Sequence, residues 1–171
     1  MTNKSDDKNI SFEFLLAAPI DVVYKVWTTK EGLESFFAPE CKIDLKLFGD
    51  LHIHFFPDNK PGQKGAEDEK IISFEENKML SFTWGFPPSI MNLRNNQKTI
   101  VLLRFKDTGF GQTIVTFIQS GWGDSDEWRL GYEYFYEAWG DVVLARLQYI
   151  FEHGVIDWNN LPDFSSYSLI K

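Results

Sequence analysis

Two of the chain's three histidines stand one residue apart, in the stretch "FGDLHIHFFPD". Residues i and i+2 of a strand share a face, so His52 and His54 could both touch one metal ion. A catalytic zinc needs three protein ligands and a structural zinc four. The other histidine, His153, falls at the far end of a helical pattern, and Cys41 lies one strand away. Leu51, Ile53 and Phe55 alternate with the histidines and claim the buried side, which turns both imidazoles to solvent. The expectation is a solvated strand face, with no metal and no cofactor.

"GFGQT" at 109–113 resembles a phosphate loop, but a phosphate loop needs a helix N-terminus behind its glycines, and a strand pattern follows here. Glu133, Glu137 and Asp141 form an acidic stripe at helical spacing, read as a solvated outer face. Arg104 sits between Leu103 and Phe105, and Arg146 at the edge of an apolar helix side. Either is a possible polar anchor for a ligand carboxylate, or a rim residue with its stem on apolar surface. No Ser–His–Asp or Cys–His arrangement is evident, so no catalytic residue is assigned and an enzyme is the less favoured reading.

The remaining chemistry is aromatic. Among 171 residues there are 16 Phe, 6 Trp and 6 Tyr. Phe37, Phe55, Phe82, Trp84, Leu103, Phe105 and Phe117, with Tyr136, Trp139 and Val143, are candidate walls of a ligand cavity. The same residues would serve equally as a filled core. The formal net charge of -8 argues against a nucleic-acid surface, which needs clustered Lys and Arg. No apolar run is long enough to insert in a membrane, and the start "MTNKSDDKNI" has no signal-peptide core. A cytoplasmic protein is expected. The single cysteine leaves no partner for an intrachain disulfide.

The elements that must position these residues follow from periodicity. Residues 1–9 are polar and expected to be disordered. "ISFEFLL" alternates as a strand. "AAPIDVVYKVW" and "TTKEGLESFFAPE" read as two short helices, the second capped by Thr29 and stopped by Pro39. Strands are expected at "CKIDLKL", "LHIHF", "KIISFEE", "MLSFTWGF", "TIVLLRFKD" and "QTIVTFIQSGW". Gly49-Asp50 is expected to make a tight hairpin turn, and "PPSIMNLRNNQ" a loop. From Asp126 to His153 the period becomes helical. Trp128, Tyr132, Phe135, Tyr136, Trp139, Val142, Val143, Leu147 and Ile150 share its broad apolar side, and Gly154 ends it. The links between strands are too short for helical crossovers, which predicts an α+β fold: an antiparallel sheet gripping a long C-terminal helix.

"AAPIDVVYKVWTTKEGLESFFAP", "DLKLFGDLHI", "KMLSFTWGF", "GFGQTIVTFIQSGW" and "EAWGDVVLARLQYIFEHG", in this order, resemble the START-like, or SRPBCC, superfamily. The branch is the one named for the activator of heat shock protein 90 ATPase homologues. Members of that branch often carry Trp where this chain has Phe36 and Phe37. The resemblance implies a helix-grip domain over residues 10–154, followed by a C-terminal extension, 155–171. It implies a non-enzymatic binding protein that holds a small hydrophobic or amphipathic molecule between sheet and helix. Its alternatives are a co-chaperone-like module with a chaperone partner and a polyketide cyclase-like enzyme.

Overall fold

The computed structural model describes residues 8–170. Most of the tail expected to be disordered therefore lies outside the described residues. Its last two residues are held: Lys8 pairs with Asp124 at 3.1 Å, and the Asn9 carbonyl accepts from the Tyr132 hydroxyl.

Strict alternation puts every second side chain on one face. In β1 (Ile10–Leu16), Ile10, Phe12, Phe14 and Leu16 are buried and the residues between them exposed. The same rule holds in β6 (Thr99–Asp107) and β7 (Thr113–Ser120), and the remaining strands are β2 (Glu40–Ile43), β3 (Asp50–His54), β4 (Gly65–Glu75) and β5 (Met79–Trp84). They form one seven-stranded sheet in the order β1-β7-β6-β5-β4-β3-β2. Every neighbouring pair is antiparallel. Register shifts interrupt β3/β4 and β4/β5, and such bulges bend a sheet.

β1 and β2 are the two edges of the sheet, so the chain between them must cross its face. It does so as two helices, α1 (Ile20–Thr28) and α2 (Lys30–Phe36). The break between them is capped as expected: the Thr29 side chain accepts from the Gly32 amide at 3.1 Å. The C-terminal helical run lies on the concave face in three parts: α4 (Asp126–Glu137), a π-helical stretch Ala138–Val143, and α5 (Leu144–His153).

The fold agrees with the expected α+β helix grip and departs from it locally in three places. The alternating "CKIDLKL" stops as a strand at Ile43. Gly49 lies so close to the Asp44 carbonyl that a Cβ there would sit 1.9 Å from its oxygen. The chain therefore reverses over Asp44–Gly49 rather than in a two-residue turn, with Phe48 at a left-handed φ of 58°. Leu47 is left 62% exposed on that loop. Second, "PPSIMNLRNNQ" is not all loop. A 3-10 turn at Pro88–Ile90, which buries Ile90, leads into α3 (Met91–Asn96), which buries Leu93. Third, the long helix is not uniform. The π-helical stretch inserts extra backbone and shifts the phase of the apolar side. Phe135, Trp139, Val143, Leu144 and Leu147 face the core, whereas Tyr136 and Val142 are each 38% exposed.

Residues 155–170 return along the helices as a strap. The Ile156 amide donates to the Ser35 carbonyl, and the Trp158 indole to Glu34 O at 2.8 Å. The Leu169 amide donates at 3.0 Å to the carbonyl of Gly140, in the π-helical stretch. Ile170 covers the bare face of Gly140, where a Cβ would meet it at 2.6 Å.

Candidate functional site

A cavity of about 330 Å³ opens where the sheet and α4 diverge. Its floor is Trp84 at the end of β5, with Ala66 and Glu69 of β4. One wall is the turn Gly85–Pro88, with Phe86 at its centre; another is the β3–β4 loop, with Phe55 and Phe56; α4 supplies Tyr134 and Phe135. The lining is mostly apolar. Asn59, Gln63, Glu69 and Arg94 are its polar side chains.

Glycine makes these walls meet. At Gly131 of α4 a Cβ would lie 2.7 Å from the Phe86 ring, so only a bare backbone lets Phe86 lie against the helix. Phe86 then packs edge-on to Trp128 at 5.2 Å and tilts against Phe135 at 5.9 Å. At Gly85 a Cβ would lie 2.9 Å from Glu69 Oε1. The Gly85 amide uses that closeness, donating to the same oxygen at 2.9 Å.

Two charged residues organise the mouth. Arg94 donates to the carbonyls of Phe86 at 2.5 Å, Gly62 at 2.9 Å and Gly65 at 3.0 Å, and reaches Glu67 at 3.3 Å. It clasps the β3–β4 loop to the turn after β5. Glu69 is 1% exposed. Besides Gly85 it accepts from Thr83 Oγ1 at 2.6 Å and Lys98 Nζ at 3.0 Å. Burial raises its carboxyl above the usual carboxylate range, against the opposing pull of the Thr83 and Lys98 bonds.

Of the residues expected to form walls, the structure places Phe55 and Trp84 on this cavity. Phe37, Phe82, Leu103, Phe105, Phe117, Trp139 and Val143 are buried in a continuous core instead. Phe37 meets Trp84 and Trp139, each at 5.6 Å between ring centres, and Trp139 meets Phe117 at 4.6 Å. Tyr136 is no wall: it stacks on Phe12 at 5.4 Å, outside the cavity. Phe86, Phe135, Glu69 and Arg94 were missed. The available signals were a Phe followed by Pro-Pro at a strand end, and a Phe on the expected core side of the helix.

The two arginines part company. Arg104 is corrected to the exposed outer face of the sheet, because Leu103 and Phe105 on either side take the inner one. Arg146 is half-buried beneath the strap, not on the cavity. Its guanidinium lies 5.2 Å from the Trp158 ring centre and 5.6 Å from that of Phe164. Burial lowers its pKa, and its Nε has no hydrogen-bond partner.

The histidine pair is more sheltered than a solvated face. His52 and His54 stack at 5.8 Å, and His54 Nδ1 lies 2.6 Å from Glu40 Oε1 across β2. Glu40 and Lys42 stand directly opposite His54 and His52 in the register. Burial moves His52 toward the neutral form. Among the described residues no three His, Cys, Asp or Glu side chains are grouped to hold a metal ion. Cys41 is buried, and its thiol is pushed up to about 12, chiefly by burial. Ellman's reagent at pH 8 is therefore expected to react with the native protein about a thousandfold more slowly than with the unfolded chain. That ratio follows from the thiolate fraction relative to an ordinary cysteine.

An antiparallel sheet around a C-terminal helix, with an apolar cavity at their open end, defines a START-like helix-grip protein. Residues 17–152 match the model of the family described as Activator of Hsp90 ATPase homolog 1-like protein, and the chain belongs to that family. Solved structures show the same fold. The Aha1 dimer of Colwellia psychrerythraea is 20% identical, with a TM-score of 0.65 over 85% of this chain and 97% of that one. An HSP90 activator from Plasmodium falciparum is 16% identical, with a TM-score of 0.61 over 84% and 96%. CalU16 from Micromonospora echinospora is 19% identical, with a TM-score of 0.59 over 87% and 76%. At these identities the likeness concerns the fold alone. No curated protein matches the chain in sequence. Among the described residues no helix is long and apolar enough to cross a membrane.

Proposed function

We propose that the protein is a non-enzymatic binding protein for a small hydrophobic or amphipathic molecule, held between the sheet and α4. The observation that carries this reading is the cavity of about 330 Å³ walled by Phe55, Trp84, Phe86 and Phe135. That volume suits a ligand of two or three fused rings. Burying about 200 Å² of ligand apolar surface would supply about 5 kcal/mol before the costs of association. Native mass spectrometry of the purified protein with added naphthylmethanol tests it. A single bound equivalent, lost when Ala66→Phe fills the cavity floor, is the expected result. Absence of any complex from the native protein would rule the reading out.

A second reading draws on the family match and on the neighbour described as an HSP90 activator. Here the protein would engage a chaperone ATPase. It is tested by adding the protein to the heat shock chaperone of its source cell and measuring ATP hydrolysis. Stimulation saturating near one equivalent supports it, and an unchanged rate removes it.

A further inference from the structure

Resting on the cavity reading above, we propose that the cavity admits neutral or cationic apolar molecules and rejects acids, with Glu69 as the residue that sets this preference. The charged side chains on the cavity are Glu69 and Arg94. A ligand carboxylate would seek the paired donors of a guanidinium, and Arg94 already shares both of its terminal nitrogens with the protein. Its Nη1 and Nη2 are engaged with three backbone carbonyls and with Glu67. Beside the cavity, Lys98 is held by Asp68 at 2.9 Å and by Glu69 at 3.0 Å. In these ion pairs the three acids Glu67, Asp68 and Glu69 meet the two bases Arg94 and Lys98, so the paired group carries one negative charge in excess.

Buried charge makes that excess effective. The Glu69 side chain is 2% exposed, so solvent screens it poorly against anything entering the cavity. A ligand anion would meet a like charge and leave its own oxygens without donors, a double penalty in an apolar site. An alcohol or an ammonium escapes both. A carboxylate has about four acceptor positions. Glu69 spends three, on Thr83, Gly85 and Lys98. One remains for a ligand donor. Aromatic rings also attract a cation through their negative centres, and Phe55, Trp84, Phe86 and Phe135 line the same cavity.

The test uses three probes of one shape: naphthylmethanol, naphthylmethylamine and naphthoic acid, titrated calorimetrically into the native full-length chain at pH 7.5. The alcohol and the amine are expected to bind, the acid at least tenfold more weakly than the alcohol. An acid that binds as tightly as the alcohol, or more tightly, overturns the proposal while leaving the cavity reading intact. If the alcohol itself does not bind, the cavity reading fails and the proposal falls with it. In Glu69→Gln, with its fold checked by circular dichroism, the acid should come within threefold of the alcohol. A tenfold gap that persists in the folded variant overturns the assignment to Glu69. Because Glu69 also ties β5 to the turn after it, the native chain carries the test of selectivity and the folded variant the test of the assignment to Glu69.

Discussion

Trp139→Ala is expected to lower the unfolding free energy by about 4–5 kcal/mol, the upper range for emptying a buried aromatic site. The Trp139 side chain is 1% exposed, and its ring contacts Phe37, Trp84 and Phe117. Its indole also carries a polar duty. It donates at 2.9 Å to Oε1 of Gln119, a side chain with no exposure at all. Gln119 passes its own donor to Thr99 at 2.8 Å, and Thr99 donates to the Trp84 carbonyl at 2.9 Å. Truncation therefore opens a cavity and leaves a buried acceptor without a partner. Trp139→Phe separates the two effects. It keeps most of the packing and loses only the bond, at an expected cost of about 2 kcal/mol. Urea unfolding midpoints of the two variants read the difference. A Trp139→Phe midpoint equal to that of the native protein would show that the hydrogen-bond chain contributes nothing.

Gly65→Val is expected to cost about 3 kcal/mol and to abolish binding of naphthylmethanol, since strain at a special backbone position and overpacking add. Gly65 opens β4 at a φ of 135°. A Cβ there would sit 2.5 Å from the Ile53 carbonyl oxygen and 2.7 Å from the Phe55 ring. Both residues matter to the cavity: Phe55 is one of its walls, and the Gly65 carbonyl receives Arg94. Gly62→Ala is the control. It lies in the same loop at a φ of 87°, with nothing within 4 Å of an added Cβ. Only the backbone penalty of about 1 kcal/mol applies there. Thermal unfolding and probe titration of both variants distinguish loss of the cavity from general loosening of the loop.

The sheet was legible because alternation is a local signal. β1, β6 and β7 bury every second residue as their sequences dictate. The same rule could have placed Arg104 on the outer face, since its neighbours Leu103 and Phe105 both claim the inner one. Alternation failed in "CKIDLKL", where the chain leaves the sheet at Ile43 to make room for the close passage of Gly49 over Asp44. The π-helical stretch was not legible, because helical spacing before and after Gly140 looks continuous in one dimension. Tyr136, one position beyond buried Phe135 on α4, is 38% exposed, an offset that the spacing alone did not resolve.

The candidate site was legible as chemistry but not as a place. An aromatic-rich interior was evident from the residue counts, and Phe55 and Trp84 were among the walls named. Which rings meet and which leave a gap depends on how closely elements approach, and two glycines set that here. Gly131 admits Phe86 to the helix, and Gly85 passes over Glu69. Neither contact joins residues near each other in sequence. Arg94 likewise sits in a segment read as loop, and its clasp reaches residues about thirty positions away.

The central claim is that the gap between Trp84 and Phe135 takes up an apolar molecule, while the packed aromatic core does not. Titration of naphthylmethanol into protein labelled with nitrogen-15, followed through the tryptophan indole N–H signals, addresses it directly. Trp84 lines the cavity, whereas Trp27 is 1% exposed and enclosed by Phe36 and Phe37. A saturable shift of the Trp84 signal with Trp27 unmoved is the predicted result. A Trp84 signal that stays fixed at saturating probe would contradict the account.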